Sequence, residues 1–232
     1  MTRGKVKLSV IGAVAVAATA VLSGCGTYPG AAVVVGDERI STDDVDAAAA
    51  ALCSSTVSAA EAQGQPRPDL PSRGARSAAI QLLLDNELSQ QYAEAQDIKV
   101  NQQAVSDAMA ASARQINLLP ETERADFREL FRGYQESQSI LDQAGAFSLA
   151  AQGNGNPSPE EASAEGMKLR SQWAEKQGVE VELDPRFGEY ANGTITPKNG
   201  SLSIAASDRA RAGASDEPGA AWTAGLPLSQ KC

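Results

Sequence analysis

The side chains able to do chemistry in this chain are three cysteines and a scatter of carboxylates, with no histidine at all. Without imidazole, Ser-His-Asp and Cys-His nucleophilic catalysis is excluded, and imidazole metal sites go with it. Cys53 and Cys232 stand too far apart in sequence for a redox Cys-x-x-Cys pair. Asp43, Asp44 and Asp46 form an acidic cluster of the kind that could take calcium. They lack the spacing of an EF-hand loop and follow Ser41 and Thr42, either of which is a good helix N-cap. Carboxylates in a first helical turn complement the helix dipole, so capping is the favoured reading. Glu180 and Glu182 alternate along a strand-like run and read as its solvated face. No residue set carries catalysis, and neither a metal nor a cofactor is implied. The cysteines remain.

Cys25 closes the stretch Leu22-Ser23-Gly24-Cys25. Ahead of it, Arg3, Lys5 and Lys7 supply a positive start and Leu8 to Leu22 an apolar run, the marks of a secretory signal. The tetrapeptide resembles the bacterial lipobox. That resemblance implies that the Cys25 thiol receives a diacylglycerol, that the chain is cut just before it, and that the new amine takes a further acyl group such as palmitate. An ordinary secretory signal that happens to carry a cysteine is the competing reading. Two acyl chains suffice for stable anchoring, each buried methylene contributing about 0.8 kcal/mol. Residues 1–24 are thus expected to be a lipoprotein signal peptide and 25–31 a lipid-anchored spacer. The protein would sit on the outer face of the bacterial cell membrane, in the envelope, held there without spanning it. No later run approaches the roughly eighteen apolar residues of a spanning helix.

The whole chain carries a formal charge of −9, and residues 1–24 hold three basic residues and no acid, so the remainder carries −12. Phosphate binding needs clustered Lys and Arg, so this balance argues against nucleic acid as a partner, and equally against lying flat on anionic lipid. In an exported protein Cys53 and Cys232 make an even pair, and such pairs tend to be oxidised. A Cys53–Cys232 disulfide would tie the C-terminal segment to the first helix. The alternative is a buried Cys53 with Cys232 loose on a frayed tail.

Alternation and periodicity supply the elements. Ala32-Val33-Val34-Val35 reads as a strand closed by a Gly36-Asp37 turn. Helices are predicted near 42–60, 76–96, 101–117, 121–151 and 160–177. The first carries an inward stripe of Val45, Ala48, Ala49, Leu52 and Thr56, with Cys53 at its flank. In the second, Ile80, Leu84, Leu88, Tyr92 and Ala95, widened by Leu83 and Ala79, mark the centre of the core. Asn101 caps the third, and Leu118-Leu119-Pro120 breaks it. Between the first two helices, Gly64 to Gly74 holds three prolines and reads as a mobile loop, or less simply as a contact segment. Val181 to Leu183 is strand-like. Asn192-Gly193 and Asn199-Gly200 mark turns around Thr194-Ile195-Thr196 and Leu202-Ser203-Ile204. Ser207 to Gly219 is predicted to be disordered, with Trp222, Leu226 and Leu228 able to dock back.

The run from Ala32 to Val45, a short strand, a Gly-containing turn and an acidic-capped helix, resembles the opening of the SurA and PrsA class of extracytoplasmic chaperone-foldases. Ile80 to Glu94 is similar to that family's long second helix, and Ala95 to Asn101 to its exit. Val181 to Tyr190 is similar to a segment of small actinobacterial SurA-like lipoproteins. The resemblance implies a mainly α fold: a SurA N-terminal-like helical domain over 32–190, with a short N-terminal strand and a small C-terminal β segment. Residues 191–232 are left as a short β hairpin and a partly disordered tail. Isomerase members of the family insert a parvulin domain before the closing helix and use a histidine pair in it. This chain has only a short linker there and no histidine, so no isomerase is expected.

What the resemblance implies is therefore a non-enzymatic, membrane-anchored extracytoplasmic holdase whose partners are unfolded or exported polypeptides. Such a protein needs exposed apolar patches on a helical frame. Phe127, Phe131, Tyr134 and Phe147 are the candidate client-binding residues, with plain core packing the alternative for each. The rival reading is an envelope scaffold or adaptor lipoprotein that binds one specific protein partner.

Overall fold

A computed structural model describes residues 29–191, 193–196, 205–213, 215 and 218–232. The expected signal peptide with Cys25, Asn192, and the residues read as the Asn199-Gly200 turn and the Leu202-Ser203-Ile204 segment lie outside the described residues. The described chain is mainly α-helical, with short strands near its two ends.

The chain begins with β1 (Ala31–Val35), whose β-branched residues are all buried. Gly36, at φ +60°, turns it into β2 (Glu38–Ser41), which pairs antiparallel with it. Only the first of these strands was legible in the sequence, because Glu38-Arg39-Ile40-Ser41 has a single apolar residue and its pairing supplies the rest. Ser41 ends the strand and caps α1 (Thr42–Ala62). Its hydroxyl accepts from the Asp44 backbone N–H, and the Asp44 carboxylate accepts from the Ser41 backbone N–H, a complete capping box. Asp46 pairs with Arg76 instead. Among the described residues no group of His, Cys, Asp and Glu is placed to hold a metal ion.

Alanine determines how α1 packs. Val45, Ala48 and Ala49 face the core formed with β1 and α2, while Ala51 belongs to a second cluster with Ile116, Leu119 and Phe127. A helix this thin is buried on two sides. Thr56, placed on the inward stripe by periodicity, is exposed, and Ser55 is buried in its stead.

The next helix, α2 (Ser72–Gln96), starts earlier than its apolar pattern suggests and takes Gly74 into its first turn. Ile80, Leu84, Leu88 and Tyr92 form the central line, all of them buried. Ala95 is exposed and Ala93 replaces it, because the helix ends at Asp97 in the left-handed conformation, φ 52°. Asn101 caps α3 (Gln102–Ile116), accepting from the Ala104 N–H, while its own N–H donates to Ser139 Oγ. A 3₁₀ turn at Glu121–Glu123 leads into α4 (Arg124–Ala151). The linker 152–158 then joins α4 to α5 (Pro159–Gln177), which starts with a second capping box, Ser158 with Glu161. No described helix is long and apolar enough to cross a membrane.

Helices α4 and α5 meet at close range. A Cβ added at Gly145 would overlap the Ala162 carbonyl, and one at Gly166 would overlap that of Leu141. After α5, β3 (Val181–Leu183) returns to the beginning of the fold and pairs antiparallel with β1, Val33 opposite Leu183. The sheet order is β2-β1-β3. A hairpin follows, β4 (Glu189–Ala191) with β5 (Thr194–Thr196), so Thr194–Thr196 pairs backwards across Gly193. Within the stretch read as disordered, Asp208–Gly213 forms the helix α6, and just beyond it Ala220–Ala224 forms α7. An i,i+3 pair, Arg211 with Asp208, supports the first, and Trp222 seats on the Gly213 backbone and donates to the Arg209 carbonyl.

The proline-rich loop, read as mobile, is held by the chain's own C-terminal tail. Cys232 is bonded to Cys53, S–S 1.98 Å. Beside this bond the Cys232 N–H donates to the Leu70 carbonyl at 2.9 Å and Arg67 Nε donates to the Cys232 carbonyl at 3.0 Å. Lys231 pairs with Asp69 at 2.6 Å, and Arg73 donates to the carbonyls of Gly213 and Ser215 with its guanidinium over the Trp222 ring. The loop and tail hold each other.

Candidate peptide-binding surface

The four aromatics picked from the sequence do not form one surface. Phe127 is buried at 8% exposure, and it stacks on Phe131 with ring centroids 6.0 Å apart. Phe131 is half-buried and stacks in turn on Tyr134 at 6.3 Å, which is 38% exposed. These three make a row whose inner end is core and whose outer end meets solvent. Phe147 is 81% exposed. By the helical period it lies on nearly the opposite side of α4 and about 20 Å further along. Phe131 and Tyr134 thus share one side of α4, and Phe147 faces solvent apart from them.

A cleft of about 240 Å³ opens between β2, α1, α2 and the first half of α4. Its floor is apolar, made by Ile40, Ala48, Leu82, Leu83 and Leu130. Its rim is charged, with Asp44, Asp126 and Glu129 against Arg39. Asn86 lines it as well, and its Oδ1 is shielded from solvent without a hydrogen-bond partner, while its amide sits against the bare backbone of Gly133. Periodicity did not point to this cleft, because its residues come from four elements.

Behind these surfaces a buried polar network fixes the helices. Arg170 of α5, 6% exposed, donates to Asp85 Oδ1 at 2.8 Å, to the Asp85 carbonyl and to Ser89 Oγ, both at 3.0 Å. Ser137 of α4 donates to the same Ser89 oxygen at 2.7 Å. Gln81 donates to the other Asp85 oxygen and accepts from the Ile195 N–H of the hairpin. One guanidinium thereby links α2, α4, α5 and the C-terminal β segment. Burial lifts the nearby Tyr190 phenol above its usual range, with Arg170 pulling it down and Asp85 pushing it up as smaller effects. The sequence signal was a lone arginine among Leu169, Trp173 and Gly166 on α5, read only as part of the helix.

A strand hairpin, a capped alanine-rich helix and a long second helix, in this order, make up the first half of the chain. The family model for the SurA-like N-terminal domain matches residues 1–119. The chain belongs to that family. Its SurA-like domain is of a chaperone-related, non-catalytic type. The match ends at the break before α4, so the closing helices, the hairpin and the tail extend beyond it. No curated protein and no solved structure gives a match.

Proposed function

We propose that this protein is a lipid-anchored extracytoplasmic holdase that keeps unfolded exported polypeptides from aggregating, without isomerisation. The observation that carries this reading is its membership of the SurA-like N-terminal domain family. The exposed edges of Tyr134 and Phe147 and the apolar floor of the cleft supply the surface such work requires. The anchor is the diacylglycerol expected on Cys25, which places the acidic domain at the outer face of the cell membrane as part of the envelope.

Aggregation suppression tests the activity. The purified full chain should protect two unrelated reduced clients in proportion to its concentration. Protection of neither, with an intact helical circular dichroism spectrum, would overturn the holdase and leave an adaptor for one dedicated partner. Anchoring is tested separately: cells fed a palmitate analogue should label the protein, and Cys25→Ser should abolish the label.

A further inference from the structure

The cleft between β2, α1, α2 and α4 has a shape and a charge that define an occupant. At about 240 Å³ it falls below the roughly 300–1,000 Å³ of small-molecule sites. It suits side chains better than a cofactor. The buried Ile40, Ala48 and Leu130, with the half-buried Leu82 and Leu83, offer it an apolar floor. One wall is β2, an edge strand of the sheet among the described residues. Edge strands pair with extended chains through their backbone groups.

The rim adds a preference. Asp44, Asp126 and Glu129 outnumber Arg39 there, and a low-dielectric wall below focuses their field into the cleft. We propose that the cleft takes an extended polypeptide segment with apolar side chains on the floor and a flanking lysine or arginine at the acidic rim. This rests on the chaperone reading and narrows it: among unfolded chains, basic apolar segments are selected over acidic apolar ones. Asn86 Oδ1, which has no hydrogen-bond partner, gains one when its amide turns toward a backbone N–H of the occupant.

Fluorescence anisotropy of the full chain with labelled peptides tests the preference. A peptide alternating leucine and lysine should bind at least about tenfold more tightly than one alternating leucine and glutamate, or serine and lysine. Added salt should narrow the gap to the glutamate peptide, because the rim charges are exposed. Asp126→Lys combined with Glu129→Lys, both at exposed positions, should reverse the order of the two leucine peptides with the helical circular dichroism spectrum intact and a melting temperature only slightly lowered, because Asp126 lies in the first turn of α4. Equal affinity for the lysine and glutamate peptides would overturn the proposal. So would a charge-reversed variant that binds the lysine peptide unchanged, or light scattering that shows a dimer of the wild type dispersed by the same substitutions. Aggregation suppression by the wild type separates the two claims. If it persists without charge selection, only the cleft assignment fails; if it is absent, the holdase reading fails as well.

Discussion

Arg170 shows how much one side chain decides here. Its three hydrogen bonds satisfy Asp85 and Ser89 inside the helical layer. Truncation to alanine would leave the Asp85 carboxylate without its cation. Because that carboxylate keeps a third of its surface exposed, the expected loss is about 2–4 kcal/mol, toward the low side for a buried pair. Urea unfolding measures it, and Arg170→Lys should recover only part, since an ammonium cannot reproduce the planar fork. Asp142 is an opposite case. Burial pushes its carboxyl above the ordinary 3.8, and Oδ1 has no hydrogen-bond partner. A carboxyl raised in the folded state favours folding below its ordinary value, and that contribution disappears as pH rises through the raised value. At neutral pH the charge therefore destabilises. Asp142→Asn should raise the melting temperature at neutral pH and change it little below pH 3.8. Asp184, held low by the Arg186 guanidinium, runs the other way and loses its contribution as pH falls through its lowered value.

At the scale of elements, the α4–α5 crossing depends on two glycines. Gly145 and Gly166 bring helix backbones together at a distance that excludes any Cβ. Gly145→Ala or Gly166→Ala must push the helices apart, and overpacking of this kind costs about 1–3 kcal/mol or more. The same substitution has the opposite sign at Gly74. That residue lies in the first turn of α2 with open space around it, so Gly74→Ala should stabilise by about 0.5–1 kcal/mol. Thermal unfolding of the three variants reads both signs in one experiment. The contrast separates glycine required by packing from glycine merely tolerated in a helix, a distinction composition does not carry.

Across the whole molecule, the disulfide joins positions 179 residues apart. A loop of that length gives a chain-entropy contribution of about 5.2 kcal/mol, an upper figure for a bridge without strain. Reduction, or the paired replacement Cys53→Ala with Cys232→Ala, should lower stability by about 2–5 kcal/mol. It should also open the proline-rich loop to proteolysis, because the Leu70, Arg67 and Asp69 contacts end on the segment that the bond retains. Non-reducing peptide mapping checks the bond itself: a Cys53 peptide linked to a Cys232 peptide is the expected product.

Helices and caps were readable because their causes are local. Ser41 and Asn101 state their role within one turn, as Ser158 with Glu161 does although Ser158 reads as linker, and the Ile80-Leu84-Leu88-Tyr92 line has the period of a single helix. A pair of cysteines in a chain expected to be exported left two readings, and only the folded chain brings Cys53 and Cys232 within bonding distance. The rest depends on groups far apart in sequence. Lys231 meets Asp69, Leu183 meets Val33, and Arg170 meets Asp85, none of which is marked by spacing. The aromatics of α4 looked alike as letters, yet Phe127 entered the core and Phe147 the solvent, because a helix has two sides and only its neighbours decide which is covered. Local hydrogen bonding and side-chain periodicity determined the elements from the sequence; the tertiary structure alone decided which surfaces remained open, since exposure is a property of what packs alongside.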